Sequence, residues 1–297
     1  MLSEISVAVC ADKNIEVGLH VTLYSLLESS QHPVKIYFLQ KGYDSRDIEA
    51  LHKTLAAFTG LYKLMIVNFD DSIFDQYRGL HGNKFAFTRI MLATFINDNR
   101  IIYLDSDLVI KKDLGTLFHE NLNGHIIGVS GVSIIEWSLE RDFFTSLGLE
   151  KEAKYFNSGV MLIDLDKWRA LNITQKCIEF ADRYPNMLIT ADQTVLNYVF
   201  YKNNFYELDK SYNQVLYPNS KPIESNESNK IFHFVGSPKP WDFGGEVFHN
   251  NYPLFRSILK NTSFSHYKSY LDFTFYRVKR TLKLYGAYYH CLTRRSP

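Results

Sequence analysis

The stretch Arg100-Ile101-Ile102-Tyr103-Leu104-Asp105-Ser106-Asp107-Leu108-Val109-Ile110 sets an apolar run against two carboxylates one residue apart. Arg100 to Leu104 reads as a buried strand, and Asp105 and Asp107 stand where it ends before the apolar run continues. The chain turns as a strand ends, so both carboxylates can reach one hard cation. Mg²⁺ or Mn²⁺ takes such oxygens and completes its shell with phosphate and water. A bound cation stabilises a diphosphate leaving group as its bond to a sugar breaks. An Asp turn at a strand end explains the same residues without chemistry, so the context has to decide.

Working outward, apolar runs of strand type alternate with helical patterns from the first residues onward. Ile5 to Cys10, Val34 to Gln40 and Leu64 to Phe69 read as strands, with Leu19 to Leu27 and Ile48 to Phe58 as helices between them. Such alternation gives βα units on a mostly parallel sheet, the α/β class. Ligands of these sheets sit at the carboxyl ends of the strands. Ala11-Asp12-Lys13-Asn14 follows the first strand directly, where Asp12 can accept from a base N–H or can cap a helix. The Gly-x-Gly-x-x-Gly pattern is missing, which argues against a dinucleotide fold.

Three further clusters break apolar stretches. The helical segment Lys84 to Ile96 carries Arg89 among Phe85, Phe87 and Leu92. Phe156-Asn157-Ser158-Gly159 precedes the strand Val160 to Leu165, and Thr190-Ala191-Asp192-Gln193 opens the helical run Thr194 to Tyr201. Asp192 and Gln193 can read sugar hydroxyls, which need donors and acceptors in pairs, or Asp192 can cap the helix. His233 lies on the apolar strand that feeds Gly236-Ser237-Pro238-Lys239-Pro240-Trp241. That turn can offer a backbone amide and an ammonium to phosphate oxygens, with the imidazole as a third metal ligand. A lone strand His is also a common core residue.

In this order, the four landmarks at Ala11–Asn14, Leu104–Asp107, Phe156–Asp164 and His233–Trp241 resemble the retaining glycosyltransferases of family 8. That group includes bacterial lipopolysaccharide galactosyl- and glucosyltransferases. The resemblance covers roughly residues 4 to 245. It implies a GT-A type fold, a single nucleotide-binding domain with a mixed, mostly parallel sheet flanked by helices over residues 1–260. It also implies Asp105, Asp107 and His233 as metal ligands for Mn²⁺ or Mg²⁺. Ala11, Asp12, Asn14, Arg89, Ser106, Gly236 and Lys239 become contacts to a UDP-sugar donor. Asn157, Asp192 and Gln193 become the sugar-binding catalytic group, with Gln193 on the face opposite the leaving diphosphate. A Gln is a poor nucleophile, so a same-face displacement through a short-lived oxocarbenium ion is the expected chemistry. The implied reaction moves galactose or glucose to an oligosaccharide or lipid-linked acceptor of lipopolysaccharide or capsule.

Two rivals come from other classes. A phosphatase-like hydrolase also uses Asp-x-Asp after a strand, and Val109 fits its pattern, but it needs the motif on the first strand. A catalytically silent sugar-nucleotide binding protein would keep the same contacts without turnover.

Composition agrees with a globular protein that does not bind nucleic acid: 297 residues, 46% hydrophobic, with a formal charge of +1. The charge is uneven, because from Ser265 onward seven basic residues face Asp272 alone, a net +6 that leaves −5 for the rest. They interleave with Tyr267, Tyr270, Phe273, Phe275, Tyr276, Tyr285, Tyr288 and Tyr289. Residues 261–297 therefore read as a helical, basic and aromatic segment suited to an anionic membrane surface. Three scattered cysteines, no charged leader and no long apolar run predict a cytoplasmic protein, peripheral at the inner face of the plasma membrane.

Overall fold

A computed structural model describes residues 2–293 except 80–82, 203, 225–226 and 273. Phe273, Arg294 and Arg295 of the basic segment lie outside the described residues, as does the side chain of Tyr276. The strands among the described residues are β1 (Ile5–Asp12), β2 (Val34–Lys41), β3 (Tyr62–Asn68), β4 (Arg100–Leu104), β5 (Leu108–Ile110) and β6 (Ile127–Val129). They continue with β7 (Val132–Ile134), β8 (Lys154–Phe156), β9 (Val160–Asp164), β10 (Tyr206–Glu207), β11 (Gln214–Leu216) and β12 (Ile231–Phe234).

Seven of them form one sheet in the order β10-β6-β9-β4-β1-β2-β3. Only β9 runs against its neighbours, β4 and β6, so the sheet is mixed and mostly parallel, as expected. Its inner strands β1, β2, β4 and β9 are apolar on both faces because both faces are covered there. The pleat sends Val7, Val9, Ile36 and Phe38 to one side, against Leu19, Leu23 and Leu51 of the helices Glu16–Ser29 and Ser45–Leu55. Ala8, Tyr37 and Leu39 go to the other side, against Phe85, Phe87, Leu196 and their neighbours. Each large apolar side chain so buried contributes about 1.5–3 kcal/mol.

The deciding stretch is not one strand. β4 sits in the middle of the large sheet, whereas β5 belongs to a second sheet of order β11-β12-β5. Asp105-Ser106-Asp107 is the joint between the two sheets. β5 runs antiparallel to β12 with Leu108 opposite His233, which brings residues far apart in the chain side by side. Gly18 lets the helix Glu16–Ser29 press onto this joint, since a Cβ there would lie 2.5 Å from the Ser106 carbonyl oxygen and 2.6 Å from Trp241.

The chain ends in the helices Phe275–Lys283 and Tyr285–Thr293, which pack on the body. Leu284 and Cys291 are buried, and the Tyr288 hydroxyl donates to the Phe243 carbonyl at 2.8 Å. No helix among the described residues is long and apolar enough to cross a membrane.

Candidate active site

Asp105, Asp107 and His233 offer ligand atoms that all lie within 4.8 Å of one another. His233 Nε2 is 3.0 Å from Asp107 Oδ1 and 3.6 Å from Asp105 Oδ2. Asp107 Oδ1 is buried and, despite that proximity, makes no hydrogen bond among the described residues. An orphaned carboxylate oxygen beside an imidazole nitrogen is costly when empty, and suits a cation between them. Burial opposes ionisation of Asp107, but the Lys239 ammonium beside it leads the groups that outweigh burial and hold the carboxyl well below the usual range. Lys239 Nζ donates to Asp107 Oδ2 at 2.6 Å and to the Phe234 carbonyl.

A hydrogen-bond chain fixes the imidazole. The Gly159 N–H donates to Asn157 Oδ1 at 2.9 Å, which settles which end of that amide is oxygen. Asn213 must then present Nδ2 to the same oxygen, at 2.9 Å, and its Oδ1 to His233 Nδ1, also at 2.9 Å. His233 therefore carries its proton on Nδ1 and keeps a lone pair on Nε2, aimed at the two aspartates. Gly159 also has to be glycine, because a Cβ would lie 2.3 Å from His233 Cε1.

The same logic fixes Gln193. The Ser158 N–H and Asn157 Nδ2 each donate to Gln193 Oε1 at 3.1 Å, and Gln193 Nε2 donates to the Tyr155 hydroxyl at 2.7 Å. The Tyr155 hydroxyl donates to Glu140 Oε2 at 3.0 Å. Glu140 is fully buried and also accepts from the Thr190 N–H at 3.1 Å, from the Thr190 hydroxyl and from the Thr194 hydroxyl at 2.8 Å. A row of donors thus runs from Asn157 through Gln193 and Tyr155 to a buried carboxylate.

Arg89 is the buried tie among these parts. It reaches Asp105 Oδ1 at 2.8 Å, Asp192 Oδ2 at 2.9 Å and the Ser158 carbonyl at 2.9 Å, with its guanidinium 4.5 Å from the Tyr103 ring centre. Asp192 is the first residue of the helix Asp192–Val199, and its side chain also accepts from the Ser158 hydroxyl at 3.1 Å. Burial pushes Asp192 up to about 7, with Arg89 pulling it down and Asp105 adding to the rise.

Of the remaining expected residues, Asp12, Asn14, Gly236 and Lys239 line a neighbouring cavity of about 760 Å³ beside Asp107, whereas Ala11 and Ser106 do not. Asp12 caps the short turn Lys13–Ile15 by accepting from the Asn14 N–H at 2.9 Å, so the capping reading of this residue is met while it still faces the cavity. Burial raises its pKa, against the lowering effect of its hydrogen bond from Asn14. Gly236 has a φ of +73°, the left-handed conformation that favours glycine. Ala11 is buried within β1, and the Ser106 hydroxyl turns inward to the Cys10 carbonyl at 3.2 Å. Asn213, Tyr155 and Glu140 escaped the sequence reading. The one local signal was the polar pair Asn213-Gln214 standing before the apolar Val215-Leu216-Tyr217.

The chain is 28% identical to General stress protein A of Bacillus subtilis (strain 168) over 253 residues, 78% of this chain and 86% of that protein. It is 27% identical over 283 residues to the Lipopolysaccharide 1,3-galactosyltransferase of Salmonella typhimurium, 88% of this chain and 79% of that protein. The fold matches a crystal structure of the galactosyltransferase LgtC in complex with donor and acceptor sugar analogs. That match has a TM-score of 0.71 and 20% identity, and covers 87% of this chain and 96% of the other. Residues 6–244 match the family Glycosyl transferase family 8, and the chain belongs to that family.

Proposed function

We propose that this glycosyltransferase is a metal-dependent, retaining hexosyltransferase. It moves galactose or glucose from a UDP-sugar to an oligosaccharide or lipid-linked acceptor of bacterial lipopolysaccharide or capsule. The observation that carries this reading is the convergence of Asp105, Asp107 and His233 at the edge of the cavity that Asp12, Asn14, Gly236 and Lys239 line. Two carboxylates and one imidazole suit Mn²⁺, with Mg²⁺ as the second choice. Such a cation, when bound, offsets the charge that develops on the diphosphate leaving group.

The protein's own groups do the rest. Lys239 and the Gly236 turn stand at the diphosphate end, and Asp12 and Asn14 at the base and ribose end, with Ala11 supplying backbone. Arg89 and Ser106 hold the motif in place. Asn157, Asp192 and Gln193 face the sugar, and the fixed Gln193 amide orients it for a same-face displacement. The carboxyl-terminal segment, residues 261–297, lies on the inner face of the plasma membrane in this reading. Its support is the outward row Phe275, Val278, Leu282, Tyr285, Tyr289 and Leu292, all exposed and spaced at helical intervals among basic residues.

The test is thermal stabilisation and hydrolysis across UDP-glucose, UDP-galactose, UDP-N-acetylglucosamine and GDP-mannose, with and without Mn²⁺, beside Asp107→Asn. One UDP-hexose should stabilise the wild type and be slowly hydrolysed only with Mn²⁺ and only with Asp107 intact. Stabilisation without turnover, even with acceptor glycans added, would leave a silent sugar-nucleotide binder instead.

A further inference from the structure

Cations on the wall of the donor cavity divide into two groups. Lys13 is held by Glu16 and Asp47, Lys41 by Asp71, Lys84 by Asp75, Lys239 by Asp107, and Arg280 by Asp242. Lys279 and Lys283 line the same cavity, and among the described residues neither has a carboxylate partner. They stand four residues apart on the helix Phe275–Lys283 and so share one of its faces. Two uncompensated ammonium groups over a cavity form a site for an anion with several charges.

The helix is not loosely placed there. Arg280 grips Asp242 with two hydrogen bonds, Nε to Oδ1 at 2.7 Å and Nη2 to Oδ2 at 2.9 Å. Arg277 lies 3.5 Å from the same carboxylate, which is only 2% exposed. Asp242 Oδ2 also accepts from the Lys239 backbone N–H at 2.8 Å. One buried carboxylate therefore joins the carboxyl-terminal helix to the Gly236–Lys239 turn. Leu284, buried at 4% exposure, seals the helix end against the cavity.

We propose that Lys279 and Lys283 are binding residues for the diphosphate of a nucleoside diphosphate or its sugar conjugate, so that the carboxyl-terminal helix completes the donor pocket. The inference rests on the donor-binding reading above and extends it to residues beyond the 6–244 span that matches the family. The side chains are exposed, so their attraction for the ligand is screened by salt.

The experiment is calorimetric titration of UDP into the full chain with Mn²⁺ present. It compares wild type, Lys279→Glu/Lys283→Glu, Lys279→Met/Lys283→Met and the distant surface control Lys176→Glu/Lys260→Glu. The reversal pair should raise Kd for UDP by about tenfold, the neutral pair by less, and the control by under about twofold. Raising ionic strength should weaken the wild type more than the neutral pair. A wild-type Kd in the folded neutral pair, or an equal loss in the control, overturns the proposal while the donor reading stands. A wild type that binds no nucleoside diphosphate at all overturns both.

Discussion

The His233 tautomer is decided by a backbone amide three hydrogen bonds away. Gly159 N–H orients Asn157, Asn157 orients Asn213, and Asn213 takes the Nδ1 proton, all at 2.9 Å. A leucine at 213 has similar bulk and removes the acceptor, so Asn213→Leu frees the ring to put its proton on Nε2. Mn²⁺ affinity should then fall about tenfold, with nitrogen NMR showing a mixture of tautomers. Asn213→Asp keeps an acceptor for Nδ1 and should retain the tautomer. An unchanged Mn²⁺ affinity, read by the paramagnetic resonance of free Mn²⁺, would remove Asn213 from this role. None of this was legible in the sequence, because Asn213 and His233 are 20 residues apart and only the pairing of β11 with β12 brings them together. The ligand trio was legible because each member ends or fills an apolar run. Arg89 was visible as a misplaced charge among aromatics, but its four-way bonding depends on elements that no local pattern connects.

At the scale of elements, the periodic segments were readable to within a few residues and their partners were not. Arg100 to Leu104 matches β4 to the residue, yet the following apolar triplet enters a different sheet. An apolar run specifies burial, and burial is the same in either sheet, so the joint was hidden. The direction of β9 was hidden for the same reason. The helix Glu16–Ser29 carries a titratable group that this packing makes consequential. His20 is fully buried, with Nδ1 at 2.7 Å from the Thr54 hydroxyl and Nε2 without a partner among the described residues. Burial, aided by the Lys13 charge, lowers its pKa to about 3. The unfolded chain protonates this group near its ordinary value of about 6.5. Between these values the unfolded state binds the extra proton, so stability falls as pH falls, at up to about 1.4 kcal/mol per pH unit. Denaturant melts from pH 7 to pH 4 should show that slope, and His20→Gln should lessen it by one proton's worth. An identical slope in the variant would assign the acid sensitivity to other groups.

Across the whole molecule, the last two described helices have two faces of different character. The inner face carries Arg277, Arg280, Leu284 and Cys291 onto the body and holds Lys279 and Lys283 over the cavity. The outer face carries Phe275, Val278, Leu282, Tyr285, Tyr289 and Leu292 at alternating spacings of three and four, with Phe275 82% exposed and Leu282 and Tyr285 each 74%. Such spacing aligns apolar groups along one side of a helix pair, and a contiguous apolar strip in water marks a contact surface. Nearby lysines and arginines each add about 1 kcal/mol of attraction to an anionic bilayer. The triple substitution Leu282→Ser/Tyr285→Ser/Leu292→Ser should abolish co-sedimentation with phosphatidylglycerol vesicles. Its Kd for UDP should stay at the wild-type value, because the altered side chains face away from the cavity. The Lys279→Met/Lys283→Met pair should do the reverse, weakening UDP binding more than vesicle binding. If the triple variant still sediments with vesicles, the strip serves some other surface; if it loses both activities together, the helices act as one unit and membrane contact helps to form the donor pocket.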